Sequence, residues 1–158
     1  MQLAEINLAK FTHEIGHSAV AEFADNLDRV NGIAERIDGF IWRYVDESGN
    51  ATDMQIGDDP RVIINVSVWR DAPALESFVW GTLHKQFYAK RDQWFHAMDS
   101  TAFAMWWVED GHYPSVEDAV ARLEHLNTYG PTDHAFGWDH LKEATQRRTA
   151  RCAPLAAE

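Results

Sequence analysis

Residues 61–69, with the sequence RVIINVSVW, form the most β-prone stretch of the chain and decide its fold. Side chains alternate between the two faces of a strand, so every second residue from Val62 to Val68 contributes to one aliphatic face. The other face combines two small polar side chains with a large aromatic one, namely Asn65, Ser67 and Trp69. Polar groups beside an aromatic ring are typical of the wall of a small-molecule pocket. The stretch therefore predicts a central strand with a core face and a pocket or barrel face, and it leaves open which layer the polar face meets.

The remaining elements are predicted from the spacing of apolar residues, together with capping and turn residues. In chain order they are a strand over 3–10, a helix over 18–39, a strand over 40–45, the strand over 61–69, one long helix over 71–94, a strand over 101–108 and a helix over 116–127. The fold class is therefore α+β, with a ferredoxin-like β-α-β-β-α-β antiparallel sheet and an extra C-terminal helix. Helices are expected on one face only. Because the other face is also apolar, we expect a second copy of the chain to cover it and form a dimeric barrel.

The chain of 158 residues fits a single domain over residues 1–138, followed by a polar tail over 139–158. The polar segment 46–60 is longer than an ordinary hairpin loop, and loops of that length often cover a site.

Charge and hydropathy exclude several classes of partner. The formal net charge of −11 argues against nucleic acid and against an anionic membrane surface, because both would be repelled. No run of about 18 apolar residues occurs and the start of the sequence has no basic leader pattern, so we expect a cytoplasmic protein. Cys152 is the single cysteine, which leaves no intrachain disulfide and no cysteine-based metal site.

Four segments resemble an uncharacterised bacterial family of the dimeric α/β-barrel superfamily, related to antibiotic-biosynthesis-type monooxygenases. They are GFIWRYVDESGNATD (39–53), DDPRVIINVSVW (58–69), KRDQWF (90–95) and WWVEDGHYPSVEDAVARLEHLNTYGP (106–131). The resemblance spans about residues 1–138 and implies a homodimer in which two ferredoxin-like sheets form a barrel. It leaves the reaction open, since that superfamily includes cofactor-independent monooxygenases, haem-degrading enzymes, polyketide cyclases, aldoxime dehydratases and stress proteins.

The resemblance also suggests individual site residues. The related monooxygenases use an Asn on the first strand and a Trp near the end of the third, and Asn7 and Trp69 match them by position. The haem enzymes carry a His on the second helix, where this sequence has Arg91, with His84 about two turns earlier. We therefore expect no tightly held metal or cofactor, with haem as an alternative.

On the second helix, His84, Tyr88 and Arg91 fall on one margin of the core-facing side. His84 is the predicted general base, because a histidine titrates near neutral pH; the alternative is a histidine that donates to a backbone carbonyl. Arg91 is predicted to bind a carboxylate or enolate oxygen; the alternative is an ion pair with Glu5 or with another acidic residue under the helix.

The candidate substrate-binding residues share polar or amphipathic side chains on the expected pocket face. They are Asn7, Asn65, Ser67, Trp69, Trp80 and Tyr88. The alternative for the polar members is a hydrogen-bond network that also includes Glu5 and fixes the register of the sheet. The alternative for the aromatic members is packing. His13 and His17 have the spacing of two ligands on a helix but lack a third nearby, so no metal site is predicted.

Together these patterns favour a small-molecule enzyme. The expected chemistry is cofactor-independent monooxygenase-type or isomerase/cyclase chemistry on an aromatic or polyketide-like substrate. Two alternatives remain, a non-catalytic ligand-binding or stress-response barrel and a haem-binding protein. The non-catalytic alternative predicts aromatic walls around polar groups that are already bonded to one another.

Overall fold

A computed structural model describes residues 1–47, 49, 57–81 and 83–142, with the backbone alone for Leu83. The strands are β1 (Gln2–Lys10), β2 (Phe40–Arg43), β3 (Val62–Trp69) and β4 (Phe103–Val108). The α-helices are α1 (Ala21–Ala34), α2 (Ala72–Gly81), α3 (Leu83–Lys90) and α4 (Val116–Tyr129). Short 3-10 turns cover Ser18–Val20, Arg91–Gln93 and Trp138–His140.

The four strands form an antiparallel sheet in the order β2-β3-β1-β4. In the register of β1 with β3, Glu5 faces Ser67 and Asn7 faces Asn65. On its other side, β1 places Glu5 beside Met105 of β4. The predicted α+β class is confirmed, and the strand order fits a ferredoxin-like sheet.

The polar face of β3 turns toward α1 and α2. Trp69 packs there with Leu75 and Phe78 of α2, and with Met105 of β4, in one buried cluster. Ala34 at the end of α1 belongs to the same cluster. The question that the sequence left open is thereby answered, because Asn65 and Ser67 project from this same face of β3.

The aliphatic face of the sheet is covered by α4. Val66 and Trp106 are fully buried in a cluster with Ala119 and Leu123 of α4. Apolar residues three to four positions apart give α4 one continuous apolar stripe, and the Ser115 hydroxyl caps its first turn by accepting from the Asp118 amide at 3.2 Å. The prediction that helices cover only one face is therefore wrong, because the extra helix of the same chain covers the face assigned to a second copy.

The predicted long second helix corresponds to α2 and α3, whose described ranges lie on either side of residue 82, and its last part, Arg91–Gln93, is a 3-10 turn. The α3 segment packs against α1, where the ring centroids of Phe87 and Phe23 are 6.4 Å apart. These rings belong to a third cluster built around Phe11 and Trp94.

Two predictions fall on parts of the chain that the structure does not describe. Most of the 46–60 loop (Ser48 and residues 50–56) and the tail from residue 143 onward, with Cys152, lie outside the described residues. Among the described helices, none combines the length and apolarity needed to cross a membrane.

Candidate functional site

A buried carboxyl lies at the centre of the sheet. Glu5 is 3% exposed, and its neighbours along β1, Ala4 and Ile6, are fully buried. The Ser67 hydroxyl donates a hydrogen bond to the Glu5 carboxyl, and the Trp69 indole Nε1 donates to the Ser67 Oγ at 2.9 Å. The three side chains form a chain of hydrogen bonds across β3 and β1.

This environment changes the acidity of Glu5. Burial raises the pKa of Glu5 to about 8, although the hydrogen bond from Ser67 opposes the rise. Glu5 is therefore mostly protonated at neutral pH, and a minor fraction is present as the carboxylate.

A narrow crevice opens beside this chain, between the β2–β3 side of the sheet and the helices. Its lining consists of Asn31, Ala34, Phe40, Arg43, Asn65, Ser67, Trp69 and Phe78. Glu5 lies behind Ser67, so the Ser67 hydroxyl is the link between the carboxyl and the crevice. The free volume is about 10 Å³, which is close to the space that one water molecule needs.

A nearly buried arginine lies on the same face of the sheet as Ser67. Arg43 on β2 faces Ser67 in the register, and its side chain is 13% exposed. Its Nε lies 2.8 Å from the Glu35 Oε1, and its Nη2 donates to the carbonyl of Gly49 at 3.3 Å. The Glu35 side chain is 47% exposed, so the carboxylate of this ion pair is on the solvent side.

His84 lies next to the crevice, separated from it by an aromatic ring. Its ring centroid is 4.7 Å from that of Phe78, which in turn stacks on Trp69 at 5.4 Å. The Nδ1 atom of His84 is 3.3 Å from the Val79 carbonyl oxygen, as the alternative interpretation of this histidine expected. Burial lowers the pKa of His84, so its neutral form is favoured.

Three other candidates gather near α3. The guanidinium of Arg91 donates to the Tyr88 carbonyl at 2.9 Å and lies 4.4 Å from the Tyr88 ring centroid. Trp80 packs edge-on against the same tyrosine at 5.2 Å, and Tyr88 itself is 42% exposed. The charged partner of Arg91 among the described ion pairs is Asp92 at 3.8 Å, whereas Glu5 bonds to Ser67.

The structure thus divides the predicted site residues into two groups. Asn7, Asn65, Ser67 and Trp69 share the sheet face that carries Glu5, and Asn7 and Asn65 are direct partners in the register. Trp80, Tyr88 and Arg91 form a separate, more exposed group, with His84 next to the aromatic wall of the crevice.

Sequence reasoning missed Glu5 as the titratable centre and missed Arg43 altogether. A signal for Glu5 was present, because a glutamate stands inside the apolar alternation of β1. No comparable signal marked Arg43, because its place opposite Ser67 depends on a register shift between Phe40 and Trp42 in β2.

The histidine pair near the N-terminus has a structural role. The rings of His13 and His17 stack at 4.1 Å, and the His17 Nδ1 accepts from the Ala19 amide at 3.1 Å to cap the first 3-10 turn. Within the described ranges, no three His, Cys, Asp or Glu side chains come together as a metal site requires.

Comparisons with known proteins give a family and a weak structural likeness. A search of the curated proteins gave no match. The chain is similar in structure to a solved protein of unknown function, NE2512 from Nitrosomonas europaea, with 13% identity and a TM-score of 0.49. That likeness covers 72% of this chain and 95% of the other. The family model for a domain of unknown function, DUF3291, matches residues 2–152. Since that match covers nearly the whole sequence, the chain belongs to the DUF3291 family.

Proposed function

We propose that this protein is a small-molecule enzyme in which Glu5, acting through the Ser67 hydroxyl, moves a proton to and from a ligand bound in the crevice. The observation that carries the proposal is the Trp69–Ser67–Glu5 chain, which links a fully buried carboxyl to the crevice wall. A titratable group held by fixed hydrogen bonds beside a cleft is what general acid–base catalysis needs.

The chemistry that fits this arrangement begins with removal of a proton from an activated carbon or a phenol. Ser67 takes the proton from the ligand while its own hydroxyl proton passes to the Glu5 carboxylate, and the ligand becomes an enolate or phenolate. Return of the proton at another carbon completes an isomerisation. In the oxygenase alternative the anion reacts with O2, so that one CH2 group and one O2 become a C=O group and one water.

Two features of the site suit such an anion. A pKa near 8 keeps both forms of Glu5 populated close to neutral pH. Asn31 and Asn65 are among the residues that line the crevice, and asparagine side chains can stabilise oxyanions. Glu5 therefore takes the role that the sequence interpretation assigned to His84, and His84 becomes a positioning residue behind Phe78.

The crevice must widen before a ligand enters. Ordinary ligand sites have volumes of roughly 300–1,000 Å³, whereas this crevice has space for about one water. Ligand binding is therefore expected to move α1 or the Phe78 ring away from the sheet.

A non-catalytic ligand-binding protein is the second candidate. It is favoured by the fact that Glu5, Ser67 and Trp69 are already bonded to one another in a closed crevice, as that alternative predicted. In that case, ligands bind without being converted.

We propose that haem is not the ligand, because the Nδ1 atom of His84, the histidine that would have to bind the iron, lies 3.3 Å from the Val79 carbonyl oxygen. Titration of the purified protein with haemin tests this directly. We expect no Soret shift that differs between the wild type and His84→Ala, and a shift that disappears in the variant would restore the haem alternative.

The test of the proposed function is turnover of a panel of anthrones and hydroxylated naphthalenes, followed by O2 consumption and mass spectrometry. We expect conversion by the wild type and a loss of at least about 100-fold in Glu5→Gln and Ser67→Ala, in line with removal of a general base. Glu22→Gln, which changes an exposed glutamate paired with Lys90, is the matched control and should retain full activity. Conversion that survives in both site variants refutes the role of Glu5, and binding without any conversion favours the non-catalytic candidate.

The homodimer predicted from the resemblance is part of this proposal. Because α4 covers the aliphatic face, a second copy would have to join through another surface. Sedimentation equilibrium distinguishes a monomer from a homodimer. A monomer at all concentrations rejects the dimeric barrel.

A further inference from the structure

The two side chains of the ion pair between Arg43 and Glu35 differ in solvent exposure, and this difference affects how a ligand could bind. The Arg43 side chain is 13% exposed and is also held by the Gly49 carbonyl, so its position is fixed by the fold. Glu35 follows the last residue of α1 and is 47% exposed, so its carboxylate can turn into water at little cost. The cation is thus part of the crevice wall, while its carboxylate partner is replaceable.

The rest of the crevice offers an aromatic surface beside this cation. Its aromatic members are Phe40, Trp69 and Phe78, with the first and last packed against Trp69 at 5.3 and 5.4 Å. Arg43 is the charged residue among the described lining residues. A ligand that uses both parts has an aromatic body and an acidic group at one edge.

We propose that the crevice accepts aromatic carboxylates, and that the ligand carboxylate replaces the Glu35 side chain on Arg43. This inference rests on the proposed function in that it names the substrate class of the same crevice. The exchange keeps the nearly buried guanidinium paired throughout, which avoids the cost of an unpaired charge. It also explains how a chain of net charge −11 would bind an anion, because recognition depends on one local cation rather than on the overall field.

The test compares two probes of equal shape, 2-naphthoate and its uncharged amide, 2-naphthamide, by isothermal titration calorimetry at pH 7. We expect the wild type to bind naphthoate about tenfold more tightly, as one charge-assisted hydrogen-bond pair allows. Glu35→Gln removes the internal competitor and should raise the naphthoate affinity severalfold while leaving the amide affinity unchanged. Glu22→Gln, on the same helix, should change neither affinity.

Arg43→Gln should abolish the preference for the acid. Circular dichroism establishes whether this variant folds, and Arg43→Lys, which keeps the charge but loses the planar fork, should retain a reduced preference. Equal affinity of the wild type for the two probes, no binding of either, or an unchanged preference in a folded Arg43 variant overturns the inference.

The two proposals fail separately. Naphthoate binding that depends on Arg43, without any conversion that depends on Glu5, removes the proposed function and keeps the ligand class. Conversion of uncharged hydroxynaphthalenes that depends on Glu5 but not on Arg43 removes the ligand class and keeps the function.

Discussion

Replacing Glu5 by glutamine is expected to remove most of the alkaline destabilisation of this protein. Glutamine has the shape of a protonated glutamate and can still accept the hydrogen bond from Ser67. The substitution therefore leaves the packing of β1 in place and removes the ionisation alone.

The magnitude follows from the shift in acidity. Folding raises the pKa of Glu5 from about 4.5 to about 8, so between these pH values the folded state holds a proton that the unfolded state has lost. The stabilisation linked to this proton is fully present below pH 4.5 and is lost as the pH rises through 8. Each pKa unit corresponds to about 1.4 kcal/mol, so the loss over the whole range is about 5 kcal/mol. Since domains have total stabilities of about 5–15 kcal/mol, an effect of this size is readily measured.

The assay is urea unfolding of both proteins from pH 5 to pH 9, followed by tryptophan fluorescence. At pH 5 the two free energies of unfolding should differ by less than about 1 kcal/mol, and at pH 9 the variant should be more stable by several kcal/mol. Taking the difference between the two proteins cancels the other titrating groups, and Glu22→Gln serves as a control for the loss of an exposed carboxyl. Parallel profiles for Glu5→Gln and the wild type would show that burial does not raise the pKa of Glu5.

Further predictions concern the same hydrogen-bond chain and the packing around it. Ser67→Ala removes the hydrogen bond that lowers the pKa of Glu5, and it leaves the Trp69 Nε1 without its acceptor. Chemical denaturation should show a loss of about 1–3 kcal/mol in the free energy of unfolding, and an NMR titration should show a higher pKa for Glu5. Gly39→Ala should lower the Tm more than Gly16→Ala, because both have φ near +95° but only the first adds a Cβ within 2.6 Å of a side-chain atom of α2. Leu123→Ala, which opens a cavity under α4, should cost about 2–5 kcal/mol in urea, and a loss below about 1 kcal/mol would contradict the packing of α4 on the sheet.

The sheet was predictable because strand periodicity is a local signal. The alternation in RVIINVSVW placed Asn65, Ser67 and Trp69 on one face, and the structure keeps them there. The location of α4 was not predictable in the same way. Its apolar stripe shows that it packs on something, but two apolar sheet faces were available, and only tertiary structure chooses between them.

For a related reason, the sequence predicted the strand residues of the candidate site but not the helical ones. Ser67, Asn65, Asn7 and Trp69 follow from the faces of two paired strands. His84 and Arg91 were placed by assuming one α-helix through residue 94, but Arg91 lies in a 3-10 turn, to which the 100° spacing of an α-helix does not apply. Periodicity arguments hold only as far as the element continues.

The closed crevice and the high pKa of Glu5 have a common cause, which in the proposed function would link ligand binding to proton transfer. Burial raises the pKa, so any opening that admits water through Ser67 should lower it toward its ordinary value and release the proton. Closure around a ligand excludes that water again and makes the carboxylate a stronger base while the ligand is in contact with Ser67. If this is the cycle, ligand entry should release a proton to the buffer, and closure should recover a proton from the ligand. In the proposed function, the burial that makes ionised Glu5 costly to the fold would also make it a stronger base toward the ligand.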